Sequence, residues 1–261
     1  MLNHKGKIDR VAARRRIEPE AVVTCSEFAA RALGFVADLK QAAVLDSAAK
    51  RGILLCSRQW GKSTVSALKA VHRAWTVPGS LVLVASPSER QSAEWVRKAA
   101  GFVRLLGVRA VGDGDNAHSV RLPNGSRIVG LPGTEATVRG FSAVSLLLID
   151  EAAVVKDELY KSLRPVLAAS DGDLWLMSTP RGKRGFFYDE MSDGGPEWER
   201  VMGPATECPR IRPAFLEEER RKQGSWFEQE YMCTFTDLGD AFFGRDLVES
   251  LVCDELETLE V

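Results

Sequence analysis

The chain has 261 residues, 45% of them apolar, which suits one large α/β domain with room for a small appendage. Its 35 basic and 36 acidic residues leave a net charge of −1, excluding a protein that coats nucleic acid through a large basic excess while leaving room for a local patch. Five scattered cysteines without Cys-x-x-Cys spacing suggest neither a disulfide framework nor a zinc site, and read as reduced thiols in a cytoplasmic protein. No stretch is long and apolar enough to cross a membrane as a helix.

Residues 1–24 form a basic leader, with Lys5, Lys7, Arg10, Arg14, Arg15 and Arg16 against Asp9. It reads as a solvated, partly disordered terminus, with a DNA or partner contact as the sharper alternative. The stretch from Glu18 to Asp46 is helix-rich. Ile53 to Ser57 is an apolar run of strand type that ends in a polar loop, and the loop closes on Gly61-Lys62-Ser63-Thr64 before helical spacing resumes over Val65–Trp75. Strand, loop, helix is the context of a phosphate-binding loop: backbone N–H groups and the positive helix end face an anion, Lys62 reaches the β and γ phosphates, and the Ser63 hydroxyl ligates Mg²⁺. The loop is a variant, because Cys56 stands where the usual pattern begins with glycine, and Arg58 and Gln59 sit beside the phosphates.

Strand Leu81–Ala85 leads to a helix over Glu89–Leu106, with Ser86 expected to cap it and Pro87 just inside its start. Ser119–Leu122 and Arg127–Leu131 flank Pro123-Asn124-Gly125, a hairpin signature. Leu146 to Ile149 then form a run of four aliphatics ending in Asp150-Glu151, which reads as a buried central strand delivering two carboxylates into the ligand crevice of an open α/β sheet. Asp150 suits the Mg²⁺ shell, and Glu151 suits orienting and deprotonating a water that attacks the γ-phosphate. A helix is expected over Asp157–Ala169 and a strand over Asp173–Met177. That strand runs into Ser178-Thr179-Pro180, which reads either as a plain Ser/Thr/Pro turn or as hydroxyls that sense the γ-phosphate. Gly185–Met191 reads as a short helix, Trp198–Met202 as a last strand, and Pro213–Arg221 and Trp226–Met232 as helices.

Three stretches carry more than a generic nucleotide site. Ser57 to Thr64 (including Trp60), Leu147 to Ala152, and Met177 to Gly182 closely resemble the Walker A, Walker B and coupling motifs of the large terminase subunit of tailed bacteriophages. Phe227-Glu228-Gln229-Glu230-Tyr231 and Asp240-Ala241-Phe242-Phe243 are similar to the stretch that closes that family's ATPase domain. The resemblance implies an α/β P-loop NTPase of ASCE/RecA-like type, a mostly parallel sheet flanked by helices, over residues 25–250. It implies ATP and Mg²⁺ as cofactors and translocation of double-stranded DNA into procapsids as the activity. As partners it implies DNA, a portal protein, a small terminase subunit and further copies of the chain in a ring, in the host cytoplasm and transiently at the portal. Gln41 matches the glutamine that reads adenine, although Lys40 stands where an aromatic is frequent. Arg58 matches a γ-phosphate arginine, and Arg139 in Thr137-Val138-Arg139-Gly140 matches an arginine finger offered to a neighbouring subunit. Residues 251–261 read as an acidic tail at the place where the family's nuclease domain begins, so no DNA cleavage is expected of this chain alone.

Other classes remain open at this stage. A helicase-like or remodelling ATPase shares the core, a non-catalytic nucleotide-binding module would keep the loop, and a small-molecule kinase would use it differently. A two-lobed helicase needs another RecA-like domain for which these residues leave no room, the presence of both Lys62 and Glu151 speaks against a non-catalytic module, and the adjacent Asp150-Glu151 suits water activation better than a kinase's substrate hydroxyl. Arg104, Arg109, Arg121 and Arg127, around the hairpin, are the candidates for DNA contact.

Overall fold

A computed structural model of the chain describes residues 23–109, 112, 118–131, 138 and 140–236. The helix-rich opening is two helices, α1 (Cys25–Leu33) and α2 (Leu39–Asp46), each with a side-chain cap at its start. Then follow β1 (Arg51–Cys56), α3 (Lys62–Thr76), β2 (Leu81–Ala85), α4 (Glu89–Leu105), β3 (Ser119–Arg121), β4 (Arg127–Leu131) and β5 (Leu146–Asp150). After β5 come α5 (Asp157–Leu163), β6 (Asp173–Ser178), α6 (Gly185–Asp193), β7 (Trp198–Gly203), α7 (Pro213–Gln223) and α8 (Ser225–Met232).

Seven strands form one sheet in the order β3-β4-β2-β5-β6-β1-β7. Every pairing is parallel except β3 with β4. Alternation along the strands divides the core in two. Leu54, Val82, Val84, Leu146, Leu148 and Met177 face α1 to α4, whereas Ile53, Leu55, Leu83, Leu147, Ile149 and Leu176 face α5 and α6. Burial on both faces is why β5 reads as an unbroken aliphatic run. A small third cluster, with Ala205, Leu216 and Phe227, holds α7 and α8 together.

Two local expectations are corrected. The cap of α4 is Ser88, whose hydroxyl accepts from the Gln91 amide at 3.3 Å, and Ser86 and Pro87 precede the helix. Ser86 lies wholly buried just past β2, and its hydroxyl has no hydrogen-bond partner, so it does not cap the helix. The helix expected over Asp157–Ala169 ends at Leu163 and tightens into a 3-10 turn over Arg164–Leu167, because Pro165 cannot donate to the preceding turn. The expected hairpin is present as the antiparallel pair β3 and β4, and β4 also pairs parallel with β2, so the hairpin extends the main sheet. Phe242 and Phe243, the basic leader through residue 22 and the acidic tail lie outside the described residues.

Close backbone approach sets one tight spot in β1. A Cβ on Gly52 would fall 2.4 Å from the indole of Trp175, itself 1% exposed. Gly52→Ala should therefore destabilise the fold by about 1–3 kcal/mol through overpacking. A urea unfolding midpoint equal to wild type would show that the indole can yield.

Candidate active site

The parallel sheet brings the C-terminal ends of β1, β6 and β5 side by side, with β6 between the other two. The phosphate-type loop leaves β1 at Ser57 and enters α3 at Lys62. Gly61 holds φ at 102°, a left-handed backbone that only glycine adopts readily, and a Cβ there would also lie 3.0 Å from Gln41 Nε2. Gln59 and Glu151 are left-handed without being glycine, at φ 62° and 55°. Such backbone costs of order 1 kcal/mol or more each and concentrates at functional sites. At Glu151 it swings the carboxylate out of the strand line toward the loop.

That turn produces the central contact, Lys62 Nζ to Glu151 Oε1 at 2.9 Å. Beside it, the Ser63 hydroxyl donates to Asp150 Oδ2 at 3.2 Å. Burial works against the charge on Lys62, but the Glu151 and Asp150 carboxylates more than offset it and hold its pKa above the ordinary lysine value. Asp150 is 7% exposed, and burial pushes its pKa up to about 6 despite Lys62. Its Oδ1 is buried without a hydrogen-bond partner, as are Ser57 Oγ and Ser178 Oγ on neighbouring strand ends. Buried oxygens without partners are unusual and point to a missing ligand or water. A hydroxyl and a carboxylate already at contact distance, with an unused carboxylate oxygen, fit a hard divalent cation such as Mg²⁺.

The other expected residues fall into three settings. Arg58 lies on the loop, but its guanidinium Nε donates to Glu230 Oε2 on α8, and its amide donates to the Glu230 carbonyl at 3.2 Å. The hydrogen bond to Glu230 holds the Arg58 pKa above its usual value. Gln59 and Thr179 line a cavity of ≈ 570 Å³ together with Arg58, Lys62, Glu151 and Trp226. Trp60 contributes backbone alone: its indole is 1% exposed and packs so closely on Gly203 that a Cβ there would fall 2.4 Å from Nε1. Cys56, at the place of the usual first glycine, is wholly buried at the end of β1, and burial raises its thiol pKa. Thr64, on the first turn of α3, accepts from Lys98 of α4 at 3.3 Å.

Gln41 is buried beside the loop. Its Oε1 accepts from the Asp38 amide at 3.2 Å as half of a capping box, and its Nε2 donates to the Trp60 carbonyl at 3.1 Å. Lys40 points elsewhere, donating to the Met202 carbonyl at 2.5 Å and pairing with Glu207. Arg139 lies outside the described residues. Arg104, Arg109 and Arg121 are exposed and Arg127 is half-buried on β4.

Sequence reasoning gave no role to Glu230, Arg210 or Lys98. Glu230 belongs to the stretch that resembles the end of the terminase ATPase domain, which was the available signal. Arg210 bridges Asp38 Oδ2 at 2.9 Å and the Trp60 carbonyl at 2.6 Å, and nothing in its sequence neighbourhood marks that.

Comparison with known families decides the lineage. The family described as "Terminase large subunit, T4likevirus-type, N-terminal" matches residues 53–250. The chain belongs to this family. The large terminase subunit of Thermus virus P23-45 is 25% identical over 253 residues, covering 83% of this chain and 52% of that protein. The chain thus spans about half the length of the curated relatives it matches. Its fold is that of the ATPase domain of the Thermus phage P74-26 large terminase, with a TM-score of 0.70 at 21% identity, covering 82% of this chain and 99% of that one. The large terminase of another thermophilic bacteriophage, solved in complex with ATP-gamma-S, aligns with a TM-score of 0.63 at 14% identity over 76% of this chain and 52% of that one.

Burial of Asp150 has a consequence for stability. Between about pH 4 and pH 6 the unfolded chain loses this proton while the folded chain keeps it, so this group's contribution to stability falls as pH rises through that window. Asp150→Asn should therefore be more stable than wild type at pH 8, by about 3 kcal/mol, with the difference vanishing below pH 4. Urea unfolding of both proteins across that range reads it directly.

Proposed function

We propose that this chain is the ATP-hydrolysing part of a DNA-packaging motor, coupling loss of the γ-phosphate to movement of double-stranded viral DNA into procapsids. The observation that carries the reading is the joint placement of Lys62 against Glu151 and of Ser63 against Asp150, in a chain of the terminase family. The ADP and ATP-gamma-S complexes of the thermophilic-phage large terminase support the same ligand here.

Lys62 binds the β and γ phosphates at the start of α3, where backbone N–H groups and the helix dipole also favour the anion. Ser63 and Asp150 would hold Mg²⁺, which when bound would neutralise charge on the phosphate oxygens. Glu151 orients the attacking water and takes its proton. The 2.9 Å contact gives these steps an order. While Lys62 holds Glu151, the carboxylate is engaged, and phosphates arriving on Lys62 release it toward the water. Arg58 must likewise leave Glu230 to meet the γ-phosphate. Ser178, at the end of the strand between the loop and the acids, and Thr179 just past it report whether that phosphate is present. Gln41 has one Nε2 N–H left to offer adenine, since its other bonds serve the capping box and the Trp60 carbonyl. Arg139 acts as a finger on the site of a neighbouring copy in a ring. DNA, a portal protein and a small terminase subunit are the partners, met in the host cytoplasm and at the portal.

Steady-state ATP turnover tests this. Glu151→Gln should keep nucleotide affinity and lose about 10²–10⁴ in turnover. Unchanged turnover would remove Glu151 as the base. Specific activity should climb with protein concentration and fall about 10³-fold in Arg139→Ala. Activity independent of both would mean a self-contained site with Arg58 as its arginine.

A further inference from the structure

Three cations at the loop are matched by carboxylates. Lys62 meets Glu151, Arg58 meets Glu230 and Arg210 meets Asp38. Lys98 departs from this rule. It is half-buried on α4, the helix that packs along α3. Among the described residues its one hydrogen-bond partner is a neutral hydroxyl, Thr64 Oγ1 at 3.3 Å, and no carboxylate lies within ion-pairing distance of it.

The setting makes that unfavourable. Thr64 belongs to the first turn of α3, where unpaired N–H groups and the helix dipole already carry positive charge. A second ammonium on the turn that holds Lys62 adds like-charge repulsion. A partly buried cation without a counter-ion also loses hydration without recovering it. Nothing on α4 requires the arrangement, since the helix is anchored elsewhere by Trp95, whose Nε1 donates to Ser66 Oγ at 3.0 Å, and by Ser92, whose hydroxyl donates to the Leu131 carbonyl at 2.5 Å. Only an anion at the start of α3 turns these costs into a gain.

We infer that Lys98 is a second phosphate ligand of the loop, taking the α–β diphosphate that ATP and ADP share. The inference rests on the nucleotide-binding reading of Lys62. The division of labour follows from position: Lys62 and Ser63 face Glu151 and Asp150, whereas Thr64 lies one step further around the helix and is approached from α4. The role differs from that of Arg58. A γ-phosphate ligand loses its partner on hydrolysis, but Lys98 keeps its hold on the product, so it slows ADP release.

The test is equilibrium binding of ADP and of ATP-gamma-S to wild type, Lys98→Met and Lys98→Arg, with urea unfolding of each protein without nucleotide. Methionine keeps most of the hydrocarbon stem and removes the charge. Lys98→Met should weaken both nucleotides by the same factor, about tenfold. It should raise the nucleotide-free unfolding midpoint slightly, because the charge it removes is unfavourable there, and speed ADP dissociation, and Lys98→Arg should recover much of the affinity. Unchanged ADP affinity would overturn the inference. So would a loss confined to ATP-gamma-S, which would move Lys98 to the γ-phosphate. A wild-type protein that binds neither nucleotide would instead sink the reading of Lys62, before any comparison among variants.

Discussion

The contact on which the rest of the site depends is the ion pair between Lys62 and Glu151. It joins the first residue of α3 to the residue just past β5, and both reach it by unusual backbone, Gly61 before one and left-handed Glu151 at the other. Strain of this kind persists only when the surroundings over-determine it. Here the surroundings are a seven-stranded sheet buried on both faces, whose central strands leave no freedom at their ends.

The same sheet explains why polar groups crowd at one edge of an apolar core. Ser57, Ser86, Asp150 and Ser178 stand at the ends of β1, β2, β5 and β6, all buried, each with an oxygen that lacks a partner. A fold selected for stability alone would have satisfied them or replaced them. Together with the raised pKa of Asp150, they leave the resting crevice with buried polar groups whose hydrogen-bonding capacity is unmet.

Much of this was legible in the residues. β2 was bounded correctly from its apolar run, and β5 from four aliphatics followed by two acids. The loop between β1 and α3 was legible because glycine, lysine and hydroxyl residues in that order serve one task. What escaped were contacts between residues far apart in the chain. Glu230 reaches Arg58 across 172 positions, and Arg210 reaches Trp60 across 150. No local pattern encodes such a meeting, because it depends on where α8 and the segment before α7 fold back. The cap of α4 escaped for a different reason: Ser86 and Ser88 are both good caps, and the choice between them was made by the sheet, which buries Ser86.

At its outer strands the sheet guards against an unwanted kind of growth. β3 has three residues, and β7 carries Glu199 and Arg200 along its length. Arg200 turns its guanidinium back onto the carbonyls of Glu190, Met191, Gly195 and Trp198, fastening the preceding loop beside the strand. Short or charged margins are poor templates for a further strand. Among the described residues, neither outer strand offers a crowded neighbouring copy a long, apolar edge to pair with.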